Sequence, residues 1–268
     1  MDNNQFKDQA SSTPGIERIR HDTRRRTLSV ESVVDITPGM RRITLTGDDL
    51  ADFISLAPDD HIKIFVPAAD GGEERRDYTP RRYDNIERKL IIDFALHEAG
   101  PVTQWAIDAR AGDRLEIGGP RGSAVMSRTV KRWLLIGDET ALPAIGRRIE
   151  ESGAGTVVTT IAAITGPLEE QTFETSAELH LRWVHRPLSQ ATDATALLKL
   201  LSTVDIQPET FIWVAAEASV TRDIPRLPAG KRLPARLDQG IRLLGVRQGR
   251  YDREIRLGPT RIPFGGEF

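Results

Sequence analysis

The chain contains no cysteine among its 268 residues. Disulfide bonds and cysteine-ligated iron–sulfur clusters are therefore excluded, and any redox chemistry needs a bound organic cofactor. No apolar run approaches the ~20 residues that cross a bilayer, and the polar N-terminus lacks the apolar core of a signal peptide. The net charge is small, −2, which argues against a dedicated nucleic-acid-binding protein. These absences predict a cytoplasmic globular protein with neither a membrane nor a nucleic acid as its partner.

The N-terminal half has the pattern of an antiparallel β-structure. Residues 1–18 are polar and are predicted to form a disordered leader. Short strand-like segments follow, separated by turn residues about every dozen positions. These predicted strands are Arg26–Val34, Arg41–Thr46, His61–Val66, Tyr78–Tyr83, Lys89–Leu96 and Asp113–Ile117. Together with one helix at Thr103–Arg110, they predict a six-stranded antiparallel barrel over residues 19–128.

From residue 129 onward the pattern changes to strands that alternate with helices. The predicted strands are Arg132–Ile136, Thr156–Ile164, Leu179–Val184 and Phe211–Ala215. Predicted helices lie at Glu139–Ser152 and Thr195–Leu201. Such alternation is typical of a parallel sheet. The sequence thus predicts a β-barrel domain followed by a nucleotide-binding α/β domain over residues 129–268.

Residues 76–81, Arg-Asp-Tyr-Thr-Pro-Arg, place two basic residues, an aromatic ring and a hydroxyl on one predicted strand. A flavin dinucleotide could use them: Tyr78 could stack on its ring system, Thr79 could hydrogen-bond a ring nitrogen, and Arg81 could clamp pyrophosphate. Arg76 could meet the same ligand, because alternate residues of a strand share a face. The alternative is an ordinary exposed strand, whose tyrosine and arginines are cross-strand pairing residues.

A second candidate site follows the predicted strand that contains Asp93. The chain runs from that strand through the loop Gly100-Pro101-Val102 into a helix, with Thr103 as its predicted cap. Backbone amides at a helix start can bind an anion, so this segment could hold a phosphate. An ordinary capped helix with Trp105 in the core explains the segment equally well. His97 could face the flavin, although a lone histidine at a strand end is more often structural.

Two segments lie where an α/β sheet would bind a nucleotide. Residues 138–144, Asp-Glu-Thr-Ala-Leu-Pro-Ala, end the first predicted parallel strand and begin its helix, which is the usual crevice for nucleotides. The segment lacks Gly-x-Gly-x-x-Gly, and its acidic residues do not favour pyrophosphate. Thr140, Ala141 and Pro143 would instead form a small-residue wall beside a nicotinamide. Residues 213–219 would border the same crevice, with ordinary helix capping as the competing explanation.

Together these motifs resemble the siderophore-interacting protein family. Its members are FAD-containing, NAD(P)H-dependent ferric-siderophore reductases of bacteria, related to ferredoxin reductases. The matching stretches, in family order and spacing, are Arg76–Arg81, Asp93–Ala106, Gly119–Gly122 and Asp138–Ala144. The resemblance extends from about Arg24 to Glu217 and implies a FAD-binding barrel followed by a ferredoxin-reductase-like NAD(P)H-binding domain.

The resemblance implies a role for each group of residues. The flavin would be held by Arg76, Tyr78, Thr79 and Arg81, with Tyr78 and Thr79 at the reaction centre. The dinucleotide side of FAD would be held by Asp93, His97, Gly100, Pro101, Val102 and Thr103. The nicotinamide side would be formed by Asp138, Glu139, Thr140, Ala141 and Pro143. No metal-binding residue of the protein itself is predicted.

The resemblance also implies a reaction. NAD(P)H would deliver a hydride to FAD, and single electrons would then pass to Fe(III) in a siderophore, releasing Fe(II) for iron assimilation. A monomer is expected. Two other hypotheses remain open: a flavoprotein that reduces a protein partner or free flavin, and a non-enzymatic flavin or siderophore carrier.

The choice between NADH and NADPH also remains open. Residues 165–167, Thr-Gly-Pro, offer no basic residue for a 2′-phosphate after the second parallel strand, and Arg186 is a possible substitute. The C-terminus departs from the family pattern, because Pro225, Pro228 and Pro234 break the long helix that the family usually has there.

Overall fold

The computed structural model describes residues 15–68, 70–96, 100–217, 220, 241–247 and 250–251. Residues 1–14 of the predicted leader, His97, and the segment that contains Pro225, Pro228 and Pro234 lie outside the described residues. None of the helices in these ranges is long and apolar enough to cross a membrane.

The first half of the described chain contains nine strands and one α-helix. The strands are β1 (Ile16–Arg20), β2 (Arg25–Thr37), β3 (Met40–Thr46), β4 (Ile62–Pro67), β5 (Glu73–Tyr78), β6 (Arg82–Asp84), β7 (Lys89–Ala95), β8 (Arg114–Gly118) and β9 (Gly122–Met126), and the helix is α1 (Pro101–Asp108). Seven strands form one antiparallel sheet in the order β5-β4-β8-β2-β3-β7-β6. The strands β1 and β9 pair in a separate antiparallel ribbon. Residues 16–18, predicted to belong to the leader, therefore lie in a strand.

The two edge strands of the seven-stranded sheet, β5 and β6, are consecutive in the chain. Residues 79–81, Thr-Pro-Arg, are all that joins them. The Arg81 amide donates to the Ile91 carbonyl at 2.9 Å, and β5 also contacts β7, so this joint lies where the two edges of the curved sheet approach each other. The prediction of a single strand through this motif is wrong, because Pro80 cannot donate to a strand ladder and the chain changes partners there.

The barrel core follows from the alternation of apolar residues. On β4, Ile62, Ile64 and Val66 are buried, whereas the intervening residues are partly exposed. Each fully buried side chain of this kind contributes about 1.5–3 kcal/mol relative to an exposed one. Helix α1 covers one end of the barrel and buries Val102 and Ala106 against the same core.

The second half of the described chain is an α/β domain. Its strands are β10 (Arg132–Asp138), β11 (Val157–Ile164), β12 (Glu178–His185), β13 (Thr210–Glu217), β14 (Ile241–Arg247) and β15 (Arg250–Tyr251), and its helices are α2 (Leu142–Glu151) and α3 (Thr195–Leu201). The sheet order is β12-β11-β10-β13-β14-β15, with every pair parallel except β14–β15. β15 contacts β5 of the barrel. The predicted order, a barrel followed by a parallel-sheet domain, is confirmed.

Helices α2 and α3 cover opposite faces of the parallel sheet. Trp133 and Leu135 of β10 pack against α2, whereas Leu134 and Ile136 pack on the side of α3. Gly137 allows α2 to begin close to the sheet. A Cβ at Gly137 would lie 2.6 Å from the Ala141 Cβ and 2.8 Å from the Ala215 carbonyl oxygen, so no larger residue fits without moving the start of α2.

Candidate functional site

Tyr78, at the end of β5, provides an aromatic surface beside the barrel. Its half-buried ring packs on Phe94 of β7 with 4.5 Å between ring centroids. Phe94 in turn packs against Trp105 of α1, with 6.0 Å between ring centroids. Because the ring is supported from below by the buried Phe94 and is partly exposed, it can stack against a flat ring system.

The neighbours of Tyr78 on β5 alternate as expected. Asp77 is buried on the opposite face, where its carboxylate lies 2.6 Å from Lys63 Nζ on the paired strand. Arg76 shares the face of Tyr78 and is half-buried, with its guanidinium paired to Glu74. The structure therefore brings Arg76 and Tyr78 to one face, as predicted from the strand period.

The start of α1 offers backbone amides. Gly100 is the N-cap residue, in an extended conformation, and no side chain caps the helix. The prediction of Thr103 as the cap is wrong, because Pro101 begins the helix two residues before Thr103. Apart from its chain neighbours, no atom of the described residues lies within 4 Å of the position that a Gly100 Cβ would take. Open space in front of an uncapped helix start suits an anionic group such as pyrophosphate.

A chain of charges, buried at Asp93 and Arg81 and partly exposed at Arg42 and Glu150, runs from the barrel to α2. Arg42 binds Asp93 through two hydrogen bonds of 2.7 and 2.8 Å, and Asp93 lies 3.5 Å from Arg81 Nε. Arg81 also donates to both carboxylate oxygens of Glu150, one of them at 2.7 Å. Arg81 is only 5% exposed. The structure therefore engages Arg81 and Asp93 with other protein charges, and the pyrophosphate clamp and ligand contact predicted for them stay predictions.

Arg147 makes a second contact between α2 and the barrel. Its guanidinium donates to Ser55 Oγ at 2.7 Å, to the Ser55 carbonyl at 2.8 Å and to the Pro80 carbonyl at 2.9 Å. Within α2 it also donates to Glu151 at 2.7 Å. A Cβ at Gly146 would lie 3.0 Å from Arg81 Nη2, so this glycine leaves room for Arg81 beside the helix.

Neither Arg147 nor Glu150 is among the residues predicted from the sequence. A signal was available for Arg147, because it interrupts the buried face of α2 between Ile145 and Ile149. A charged residue at such a position is almost never fully buried unless it is paired. Glu150 gives no comparable signal, since its partner Arg81 lies 69 positions away in the sequence.

The predicted nicotinamide segment is held by its own hydrogen bonds at the start of α2. Asp138 accepts from the Thr140 amide at 3.0 Å and from Thr140 Oγ1 at 2.6 Å. Thr140 is partly exposed at the end of β10, whereas Ala141 and Pro143 are buried. Of the three residues predicted to form a wall, Thr140 is therefore the one at the surface.

Glu139 forms a buried pair with Arg186, the residue considered for a 2′-phosphate. Arg186 donates to Glu139 at 2.9 Å, and it is 6% exposed. The positive charge of Arg186 is thus balanced inside the protein. The end of β12 presents no uncompensated charge at this residue.

A polar cluster around Asp60 fixes the loop before β4. Asp60 Oδ2 accepts from Ser123 Oγ at 2.5 Å, from Ser55 Oγ at 3.0 Å and from the Ala57 amide at 3.1 Å. His21 is hydrogen-bonded to the same Ser123 hydroxyl at 2.8 Å. Burial raises the pKa of Asp60 above its ordinary value, although these hydrogen bonds oppose the shift.

The raised pKa of Asp60 predicts how stability depends on pH. The folded protein binds this proton more tightly than the unfolded chain, so the contribution is present below the ordinary aspartate pKa of about 3.9 and is lost as pH rises through the raised value. Asp60→Asn cannot lose a proton. Its unfolding free energy relative to that of the wild type should therefore increase as pH rises from about 4 toward neutrality. Urea unfolding across this range measures the difference, and a constant or decreasing difference would contradict the prediction.

The chain matches two family models. The siderophore-interacting FAD-binding domain matches residues 29–75 and 72–124, and the siderophore-interacting protein model matches residues 130–235. The chain is 32% identical over 231 residues to the NADPH-dependent ferric-chelate reductase of Escherichia coli (strain K12), covering 78% of this chain and 89% of that protein. It is 26% identical over 181 residues to the ferric vibriobactin reductase ViuB of Vibrio cholerae, covering 60% of this chain and 67% of that protein.

Solved structures show the same arrangement. A siderophore utilization protein from T. fusca superposes with a TM-score of 0.77 at 31% identity, covering 88% of this chain and 97% of that chain. The siderophore-interacting protein SipS from Aeromonas hydrophila superposes with a TM-score of 0.68 at 24% identity, covering 85% and 92%. The matched regions fall on both halves of the fold, and the chain belongs to the siderophore-interacting protein family.

Proposed function

We propose that the protein is an NAD(P)H-dependent reductase of ferric siderophores that works with bound FAD. The observation that carries this proposal is the supported, partly exposed ring of Tyr78 on the barrel that also carries the uncapped start of α1. One feature suits a flat ring system and the other suits pyrophosphate. The FAD-binding family match, residues 29–75 and 72–124, covers both elements.

The residues present fit FAD in three places. Tyr78 would stack on the ring system, and Thr79 would contact its edge. Arg76, on the same face as Tyr78, would contact the same ligand through its guanidinium, which also pairs with Glu74. The amides of Val102 and Thr103 would face the pyrophosphate, with Gly100 leaving space for it.

The nicotinamide would approach from the α/β domain. Thr140 is partly exposed where β10 ends, which is the side on which open parallel sheets bind nucleotides. The side chain of Asp138 holds the Thr140 hydroxyl and amide, so the position of Thr140 is fixed before the nucleotide arrives. FAD supplies the conversion between two-electron hydride chemistry and one-electron chemistry, which amino-acid side chains do not provide.

The iron step needs little from the protein beyond orientation. Hard oxygen ligands, which many siderophores present, bind Fe(III) far more tightly than Fe(II), so one-electron reduction loosens the metal without breaking the ligand. No acid, base or nucleophile is required for that change. Both halves of the proposed site lie on one chain, so a monomer suffices. Because NAD(P)H is the electron donor, we place the protein in the cytoplasm.

An anaerobic titration tests the proposed function. FAD-loaded protein is titrated with NADH and, separately, with NADPH, while the flavin absorbance is followed. We expect bleaching with at least one nucleotide, and recovery of colour when a ferric tris-hydroxamate or ferric tris-catecholate is added, with Fe(II) appearing in a selective trap. No bleaching with either nucleotide would indicate a carrier. Recovery only with a protein acceptor or free flavin would indicate an electron-transfer flavoprotein.

A further inference from the structure

We propose that Arg147 and Glu150 are positioning residues for hydride transfer, an inference that rests on the proposed function. Both lie on α2, which begins next to Thr140 on the nicotinamide side. Both bind the joint between β5 and β6, which follows Tyr78 on the flavin side. The two residues would thereby set the distance between the two reacting rings.

The contacts of Arg147 hold the joint, residues 79–81, from one side. The Pro80 carbonyl, one residue after Thr79, accepts from Arg147 at 2.9 Å. The same guanidinium donates to both the hydroxyl and the carbonyl of Ser55, and it is 5% exposed. Its planar fork with fixed donor directions makes this contact geometrically specific in a way that a lysine ammonium would not.

The contact of Glu150 locks the joint from the other side. Its two carboxylate oxygens accept from the two terminal nitrogens of Arg81, the last residue of the joint. Arg81 is held in turn near Asp93, which Arg42 binds within the barrel. Paired N–H groups on a carboxylate fix orientation as well as distance.

The helix connects these two contacts to the nicotinamide side. Arg147 and Glu150 are three residues apart and lie on one face of α2. A helix is rigid, so a shift of the joint relative to α2 would change the separation of Thr79 and Thr140 directly. Misplacement of reacting groups by about 1 Å can cost about 100-fold in rate. Stability alone does not require such pairs, because well-packed apolar residues can replace buried ion pairs without loss.

The neighbouring glutamate on α2 supplies a matched control. Glu150→Gln places an amide N–H₂ group against one of the two Arg81 nitrogens and breaks one bond of the pair. Glu151→Gln is the same chemical change one residue later, but within the described part of the chain Glu151 forms its hydrogen bond and ion pair with Arg147, inside the helix. Its amide oxygen can still accept that single bond. Arg147→Lys keeps the positive charge and removes the planar guanidinium with its fixed N–H donor directions.

Rapid mixing of FAD-loaded variants with NAD(P)H, followed separately by reoxidation with a ferric tris-hydroxamate, tests the proposal. Glu150→Gln and Arg147→Lys should slow flavin reduction about tenfold or more, while FAD affinity and the reoxidation rate change less than about twofold. Glu151→Gln should resemble the wild type in all three. The positioning role would be overturned if Glu150→Gln and Glu151→Gln slowed flavin reduction equally. It would also be overturned if flavin reduction and reoxidation slowed in parallel.

Hydrogen exchange of the apoprotein separates this inference from the proposed function. The Arg81 amide is bound to the Ile91 carbonyl, so its exchange reports on the joint without any cofactor. It should exchange faster in Glu150→Gln than in the wild type or Glu151→Gln. If neither nucleotide reduces the wild-type protein, the proposed function fails and exchange still decides whether the contact holds the joint. Unchanged exchange in Glu150→Gln would refute the inference itself.

Discussion

Tyr78→Ala is expected to weaken FAD binding by about 10- to 100-fold, because aromatic stacking on a planar base contributes about 1–3 kcal/mol. The ring of Tyr78 rests on Phe94 at 4.5 Å, so it presents its surface without first losing much side-chain freedom. Alanine removes that surface and also part of the packing above Phe94. Titration of the apoprotein with FAD, followed by quenching of flavin fluorescence, measures the dissociation constant.

Tyr78→Phe separates stacking from hydrogen bonding by the phenol group. Phenylalanine keeps the ring, so its dissociation constant for FAD should stay within about threefold of the wild-type value, well below the alanine effect. Thermal unfolding of both apoproteins accounts for the lost packing on Phe94. If Tyr78→Ala binds FAD as tightly as the wild type, the ring does not stack on the flavin.

The fold class could be predicted because it depends on local patterns. The residues of β10 are apolar at successive positions, which is typical of a strand covered on both faces, and Trp133 to Ile136 are indeed buried by α2 on one side and α3 on the other. The alternation on β4 is equally visible in sequence. Helix α3 was predicted with its observed bounds, Thr195–Leu201.

Features that depend on distant partners could not be predicted in the same way. Ile16–Arg20 has few apolar residues and becomes a strand because β9 pairs with it more than a hundred residues later. Pro80 is a local signal for the break after Tyr78, but no local period reveals that β5 and β6 lie at opposite edges of one sheet. The prediction that Arg81 clamps pyrophosphate rests on its position beside the flavin motif and stays a prediction. Its engagement with Glu150 becomes visible only when α2 packs against the barrel.

The same distinction between local features and features that depend on distant partners applies to the candidate site. Arg76 and Tyr78 share a face because of the strand period, and the glycine and proline at the start of α1 mark a helix beginning. These are local properties, so the sequence located the strand face and placed the helix start within two residues of the observed one. Buried charges such as Arg147 serve contacts between domains, and their roles follow from geometry that the sequence does not contain.

Thr79 occupies the most constrained position of the flavin motif. It is 4% exposed and lies directly after β5, between the aromatic surface of Tyr78 and the clamped residues Pro80 and Arg81. A residue before proline is restricted to extended conformations, so the direction of its side chain is limited. A hydroxyl held in this way can donate to a ring nitrogen at the edge of the flavin with little further loss of freedom.

Thr79→Ala is therefore expected to slow reduction of bound FAD by NAD(P)H about tenfold, the effect of losing one hydrogen bond worth about 1.4 kcal/mol at the reaction centre. The dissociation constant for FAD should change less than about threefold, because stacking on Tyr78 and the charges around it remain. Thr79→Ser keeps the hydroxyl and should retain most of the wild-type rate. Anaerobic rapid mixing measures all three proteins. An unchanged rate in Thr79→Ala would remove Thr79 from the reaction centre, and an equal loss in the serine variant would assign the effect to packing of the methyl group.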